Sequence, residues 1–281
     1  MPSPFVINPV LTAVATEYYQ GADILIANRV LPDVMVDAEL FEYDKFDLTD
    51  SFRIPDAKVE RTGKVHAVEV KSENVTDRAI DYFLKIPLPH KDSRNANQKT
   101  SRIDVQKRHS RLLSLWIALN REVRTAALLS DAGSYDAGLV DTPADAWSDL
   151  VNGVPMDNIE ALIDEPLADV NKLVFAHDSW KLFKVHPQTI ARILGIGGGV
   201  ITKEAVANYF EVEEVLVGAS RYAAGNKKEV VGELADISRI WTDMVAGIHV
   251  DPNPMLENGM PTFGMRAKMG EIVSGLTEDV D

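Results

Sequence analysis

The sequence predicts an α+β protein, and three observations lead there. Residues 97–130 carry apolar side chains at helical spacing with no Gly or Pro to interrupt them. After residue 170, short β-branched runs alternate with helical patterns. Ahead of both lies a charged, alternating stretch that reads as a two-stranded hairpin. Hydrophobic residues make up 46% of the 281 and charged residues 26%, which permits a sizeable core and argues against global disorder.

Taken in order, residues 12–28 have Leu11, Val14, Ala15, Tyr18 and Tyr19 at helical spacing, with Gly21 as a stop. Pro32 and Asp33 then break the chain, and Phe41, Tyr43, Phe46 and Leu48 punctuate an acidic extended stretch that buries little of itself. Residues 52–71 read as a hairpin. Phe52 and Ile54 start one arm, Arg61-Thr62-Gly63 supplies the turn, residues 64–71 form the second arm, and residues 75–90 lead back. Such a ribbon is marginal alone, and its charges guard a free edge. The helix over 97–130 is expected to bury Leu112, Leu115, Trp116, Leu119, Val123, Ala126 and Ala127 as core, with Arg111, Ser114, Arg121 and Thr125 largely off that stripe. Gly133 and Gly138 end it.

Residues 141–166 are polar and turn-rich, with a short helix at 156–163. Then come a strand at 172–175, a helix at 179–185 interrupted by Pro187, its resumption at 188–194, and a glycine loop at 195–199. Thr202 caps a helix to Phe210, a strand covers 214–217, and residues 237–250 carry another. Together these make a mixed α+β unit of about a hundred residues, within the usual size of a domain.

Composition excludes several function classes. With no cysteine, disulfides, Cys-ligated zinc and thiol nucleophiles are out. No apolar run reaches membrane-helix length and residues 1–8 lack a signal-peptide pattern, so neither membrane anchoring nor export is expected. A net charge of −14 makes a general DNA-binding surface a poor expectation. Basic residues do cluster between Lys91 and Arg124, including Lys107, Arg108 and Arg111. They read as a solvated or salt-bridged helix face, or as a contact for acidic regions of neighbouring chains.

No catalytic, cofactor-binding or metal-ligating residue stands out. The Gly195–Gly199 run follows a helix, whereas a phosphate loop follows a strand and opens a helix. His177-Asp178-Ser179 holds the three triad residue types, but sequence neighbours cannot converge as nucleophile, base and orienter. Asp178 or Ser179 is expected to cap the helix carrying Trp180 instead. Glu211, Glu213 and Glu214 read as a solvated junction rather than a cation site, and the histidines are scattered.

The order of several phrases is similar to that in one known family. Asn171-Lys172-Leu173-Val174, Trp180, His186-Pro187, Gly199-Val200-Ile201-Thr202, Ala205, Phe210 and residues 212–218 carry the densest likeness. Ala22-Asp23, Ala27 to Pro32 with Val36, Phe52-Arg53, Tyr82 to Pro89, and Arg121-Glu122-Val123-Arg124 add to it. So do Trp147, Pro155, Ile159, Ile240-Trp241 and Pro261-Thr262-Phe263-Gly264. The chain thus resembles the major capsid proteins of tailed double-stranded DNA bacteriophages, whose Hong Kong-phage-type coat fold is shared with encapsulins and herpesvirus capsid floors.

The resemblance implies an N-terminal arm over 1–50, an extended hairpin loop over 51–92, and a peripheral domain with a spine helix over 93–138. It further implies an axial domain over 139–250 and a return to the peripheral domain over 251–281. Family members run further past the position of Gly264, so the last peripheral strand is expected to be shortened or differently built. A structural rather than enzymatic role follows, with the chain itself as partner in hexamers and pentamers of an icosahedral shell assembled in the host cytoplasm. Scaffolding, portal and decoration proteins are further candidate partners, packaged DNA a non-specific neighbour, and no membrane is involved. An encapsulin-like compartment shell and a soluble acidic α+β enzyme are the alternatives.

Overall fold

The computed structural model describes residues 6–7, 24–46, 49, 52–55, 57–58, 68, 72–88, 102–136, 138–195, 199–223, 237–254, 262–270 and 275–276. At its centre lies a three-stranded sheet in the order β6-β5-β9, formed by β5 (Lys172–Ala176), β6 (Glu214–Gly218) and β9 (Val245–Ile248). β5 runs parallel to β6 and antiparallel to β9. A parallel pair needs a long crossover. Here it is supplied by three helices, α4 (His177–Val185), α5 (Pro187–Ile193) and α6 (Lys203–Tyr209).

Strand alternation sorts this sheet's side chains between two cores. Leu173, Phe175, Val215 and Val217 point to one side, where Met156, Ile159, Trp180, Phe183 and Val206 close a helical layer over them. Met156 and Ile159 come from α3 (Pro155–Asp164). Val174, Ala176 and Leu216 point to the other side and meet Trp241, Ile26, Val30, Ala126 and Leu129. A strand covered on both faces reads as an unbroken apolar run, as Leu173-Val174-Phe175-Ala176 does. Gly218 is required there, because a Cβ would overlap the Trp241 ring.

The helix ends follow local chemistry. Pro187 sits at the first turn of α5, where its missing N–H costs nothing, so the chain bends at His186 and restarts. Thr202 caps α6 by accepting from Ala205 N at 3.2 Å. The same helix ends with Glu211 in the left-handed region (φ 56°) and Val212 N donating to Ala207 O at 3.0 Å. At the start of α4 the expectation of a side-chain cap fails. Its cap is Ala176, with no side-chain bond, and Asp178 lies in the first turn paired with Lys181 at 3.5 Å.

The long helix α2 (Arg102–Ser130) spans 29 residues. At 1.5 Å per residue it is about 43 Å long. Its buried face is not the expected one. Ser110, Ser114, Ala118, Arg121, Glu122, Thr125, Ala126 and Leu129 are buried, whereas Trp116 is 47% exposed and Val123 37%. Leu112, Leu115 and Leu119 are half-buried. The observed stripe is rotated by roughly a third of a turn from the apolar one. Small residues let the helix approach its neighbours closely, and the two buried charges have partners waiting, neither of which hydropathy registers.

The N-terminal region contributes α1 (Ala27–Val30), β2 (Asp33–Met35) and β3 (Leu40–Phe46). β2 pairs in parallel with β10 (Arg266–Lys268), and β1 (Val6–Ile7) pairs antiparallel with β11 (Gly275–Leu276), so segments near both ends of the sequence meet. β3 pairs along seven residues with β4 (Ser72–Arg78), in antiparallel register from Leu40↔Arg78 to Phe46↔Ser72. The hairpin stem therefore lies outside the predicted arms, and the described residues of the first arm, Phe52 to Pro55, contain no strand. Most of the predicted second arm, its turn, and most of the predicted helix over 12–28 fall outside the described residues. A last small ribbon joins β7 (Arg221–Ala223) to β8 (Ile237–Arg239).

Candidate functional site

The residue types that chemistry would need are dispersed. Asp178 lies near Arg239 (3.8 Å) as well as Lys181, and burial followed by the Arg239 charge pushes His177 below the ordinary histidine range. Asp178 is therefore tied into surface ion pairing. Of the acidic trio, Glu211 ends α6, Glu213 N donates to Asn171 O at 2.9 Å, and Glu214 pairs with Arg29. Among the described residues no three His, Asp or Glu side chains converge as metal ligands would. No described helix is long and apolar enough to cross a membrane. In the glycine run, Gly195 (φ 59°) and Gly199 (φ 148°) take conformations that favour glycine, and residues 196–198 lie outside the described set.

What the structure does bring together is a buried polar joint on α2. Glu122 is fully buried, and its Oε1 accepts from Ala27 N at 2.6 Å. Its Oε2 accepts from Trp241 Nε1 at 2.7 Å and from Ser220 Oγ at 3.4 Å. Burial pushes the carboxyl above the ordinary glutamate range, and these donors with the Arg121 charge oppose the shift. Arg121 donates to Leu31 O at 3.0 Å and lies 3.3 Å from Asp33, which Arg266 also reaches at 2.5 Å. Two adjacent side chains on one helix thus tie down the N-terminal segment, the central sheet and the C-terminal return. Sequence reasoning placed Arg121 largely off the buried stripe, on a solvated or salt-bridged face; the structure buries it and pairs it with Asp33. The usable signal was the row Ser110, Ser114, Ala118, Glu122 and Ala126, small residues four apart with one acid among them.

Outside this joint the chain displays apolar surface. On the β3–β4 ribbon, Phe41 and Tyr43 share one face with ring centroids 6.3 Å apart, and Val75 pairs opposite Tyr43. The other face carries Glu42, Asp44, Asn74 and Thr76, with Leu40 exposed at the base, where Glu39 pairs with Arg78. Beyond the ribbon, Ile80, Tyr82, Phe83 and Leu84 are exposed, and Ile54 is 97% exposed. The segment after β4 touches the long helix where Arg124 lies 3.9 Å over the Tyr82 ring. Trp116 and Val123 on the same helix remain open. This geometry offers broad, shallow contact surfaces, without convergent polar groups among the described residues.

No family model matches the chain. The major capsid protein of Pseudomonas phage JBD67 is 30% identical over 281 residues, covering 99% of this chain and 87% of that protein. The chain belongs to the phage major capsid proteins. The capsid protein is also 28% identical to the major capsid protein of Burkholderia phage BcepMu over 227 residues, 78% of this chain and 70% of that one. In fold it is similar to the crystal structure of a phage-related protein from Bordetella bronchiseptica RB50. That TM-score is 0.67 at 23% identity, over 93% of this chain and 82% of the other. The role of the capsid protein is accordingly structural, in the capsid of the virion.

Proposed function

We propose that the capsid protein self-assembles, as hexamers and pentamers, into an icosahedral shell of the Hong Kong-phage type that encloses the double-stranded DNA of a tailed phage. In this reading the shell forms in the host cytoplasm, and the chain carries no catalytic site. Residues 1–50 act as an arm whose β3 supplies one strand of the hairpin stem, 51–92 as the extended hairpin, and 93–138 as a peripheral domain around α2. Residues 139–250 form an axial domain, and 251–281 the return. Scaffolding, portal and decoration proteins are its further partners.

The observation that carries the reading is the β3–β4 ribbon with the segment after it. Most of the described residues of the ribbon are exposed, and Ile80, Phe83 and Leu84 beyond it are exposed as well. Ordering backbone costs about 1–2 kcal/mol per residue. Such a ribbon is stabilised when a neighbour covers it, and in a closed shell each such contact is repeated by symmetry. The net charge of −14 keeps packaged DNA from adhering to the wall.

Hydrogen exchange on free subunits and on assembled particles, alongside electron micrographs of the same samples, tests this. Closed shells should form, and the β3–β4 amides should exchange roughly tenfold or more slowly in them than in the free chain. Equal exchange in both states, or particles that never close, would overturn the proposal.

A further inference from the structure

The turn from Asp149 to Val154, which leads into α3, is a rigid knob tipped with apolar side chains. Asp149 builds it. Its Oδ1 accepts from Val151 N at 2.9 Å and Asn152 N at 3.2 Å, and its Oδ2 accepts from Asn152 Nδ2 at 2.8 Å. Its backbone carbonyl accepts from Gly153 N at 3.0 Å and lies 3.2 Å from Nε2 of the buried His186. Because His186 Nδ1 accepts from Gln188 N, its Nε2 is the nitrogen left to donate, so the ring locks the turn to the start of α5. Only glycine fits at 153, since a Cβ would stand 2.6 Å from Asp149 O and 3.0 Å from Ala146 O. Out of this framework Val151 projects at 87% exposure, with Leu150 and Val154 exposed beside it and Val185 exposed next to His186.

We propose that this knob is a preformed contact that seats against the adjacent copy of the same chain in the shell, an inference that rests on the shell-subunit reading above. Copies carrying a net charge of −14 repel one another, so their contacts favour surface without charge. Residues 150–156 contain no ionisable side chain, and the Asp149 carboxylate is consumed by the turn. A knob already ordered in the free chain loses little entropy on docking. Exposed valine and leucine grouped on a fixed turn gain most by leaving water.

Val151→Asp and Val151→Cys test this in the full-length chain. The first should leave the thermal unfolding of the free subunit unchanged, because the Val151 side chain stands in solvent, while cutting the yield of sedimenting particles at least about tenfold. The second gives the chain its only thiol, whose maleimide labelling should be fast in the free subunit and at least about tenfold slower in particles. Val151→Asp particles at wild-type yield, or a Val151→Cys thiol as reactive in particles as in subunits, overturns the proposal. So does protection that appears only when a second protein is added, since that assigns the knob to a different partner. Failure of the wild-type chain to form particles counts against the shell reading itself and is scored on the wild type alone.

Discussion

The β6-β5-β9 sheet and the β3–β4 ribbon are both short strands of mixed residues, yet they meet opposite fates in one subunit. In β5 four consecutive residues are buried, and both faces are covered by helices and by Trp241. In β4 six of seven residues are exposed and the seventh is half-buried. The sheet holds its own enclosing layers. The ribbon's described residues are mostly exposed, with Phe41, Tyr43 and Val75 half-buried. Apolar side chains on the sheet therefore stabilise the subunit, whereas those beyond the ribbon and along the open face of α2 contribute little to it in the free chain.

The largest expected effect lies on the sheet side. Phe183 is fully buried and packs its ring 5.3 Å from Phe175 and 5.9 Å from Trp180. Phe183→Ala should cost about 3–5 kcal/mol in denaturant unfolding of the free subunit. A loss below about 1 kcal/mol would break the contrast, since surface positions behave that way.

Next comes the joint that couples the two regions. Glu122→Gln turns one acceptor into a donor that faces Ala27 N or Trp241 Nε1, and should cost about 1–3 kcal/mol. The sign of its pH dependence is fixed by the raised carboxyl. The native state holds the Glu122 proton more tightly than the unfolded chain does. That contribution is full below the ordinary value of 4.5 and is lost as pH rises through the elevated native value. The stability advantage of wild type over Glu122→Gln should therefore shrink from pH 4.5 upward in parallel denaturant titrations. An advantage that grows with pH would show the carboxylate to be stabilised rather than penalised by its site.

The smallest effect on the free subunit belongs to Trp116→Ala. With 47% of the residue exposed, the change should cost about 1 kcal/mol or less, while particle yield falls because the indole is surface that a neighbour covers. A loss of several kcal/mol in the isolated chain would return Trp116 to the subunit core.

Legibility in the sequence followed the same divide. Residues 172–176, 187 and 202 could be read because a doubly covered strand, a helix-breaking proline and a threonine cap act locally. The face of α2 could not. Hydropathy points along Leu112, Trp116 and Val123, but the subunit closes over Ser110, Ser114 and Ala118, and the pairing of Glu122 with Trp241 spans 119 residues. The stem of the ribbon was missed for a related reason. Leu40–Phe46 alternates only weakly, and its partner stands beyond a connection that carries stronger strand signals of its own. The family was legible from the order of its phrases, and the Asp149 knob was not, because a turn held by one carboxylate and a distant imidazole leaves no periodic trace.

Asp33 stands between Arg121 and Arg266, and among the described residues β2 finds its partner only in β10. During synthesis the ribosome releases the N-terminal segment and α2 long before residue 266 appears. Domains form as units while the chain emerges, at about 5–20 residues per second. A chain made as far as β9 therefore has its central sheet and the Glu122 tie to Ala27, but lacks the strand that pairs with β2. The clasp thus arrives after the sheet has been made, and a product cut short before residue 266 goes without it.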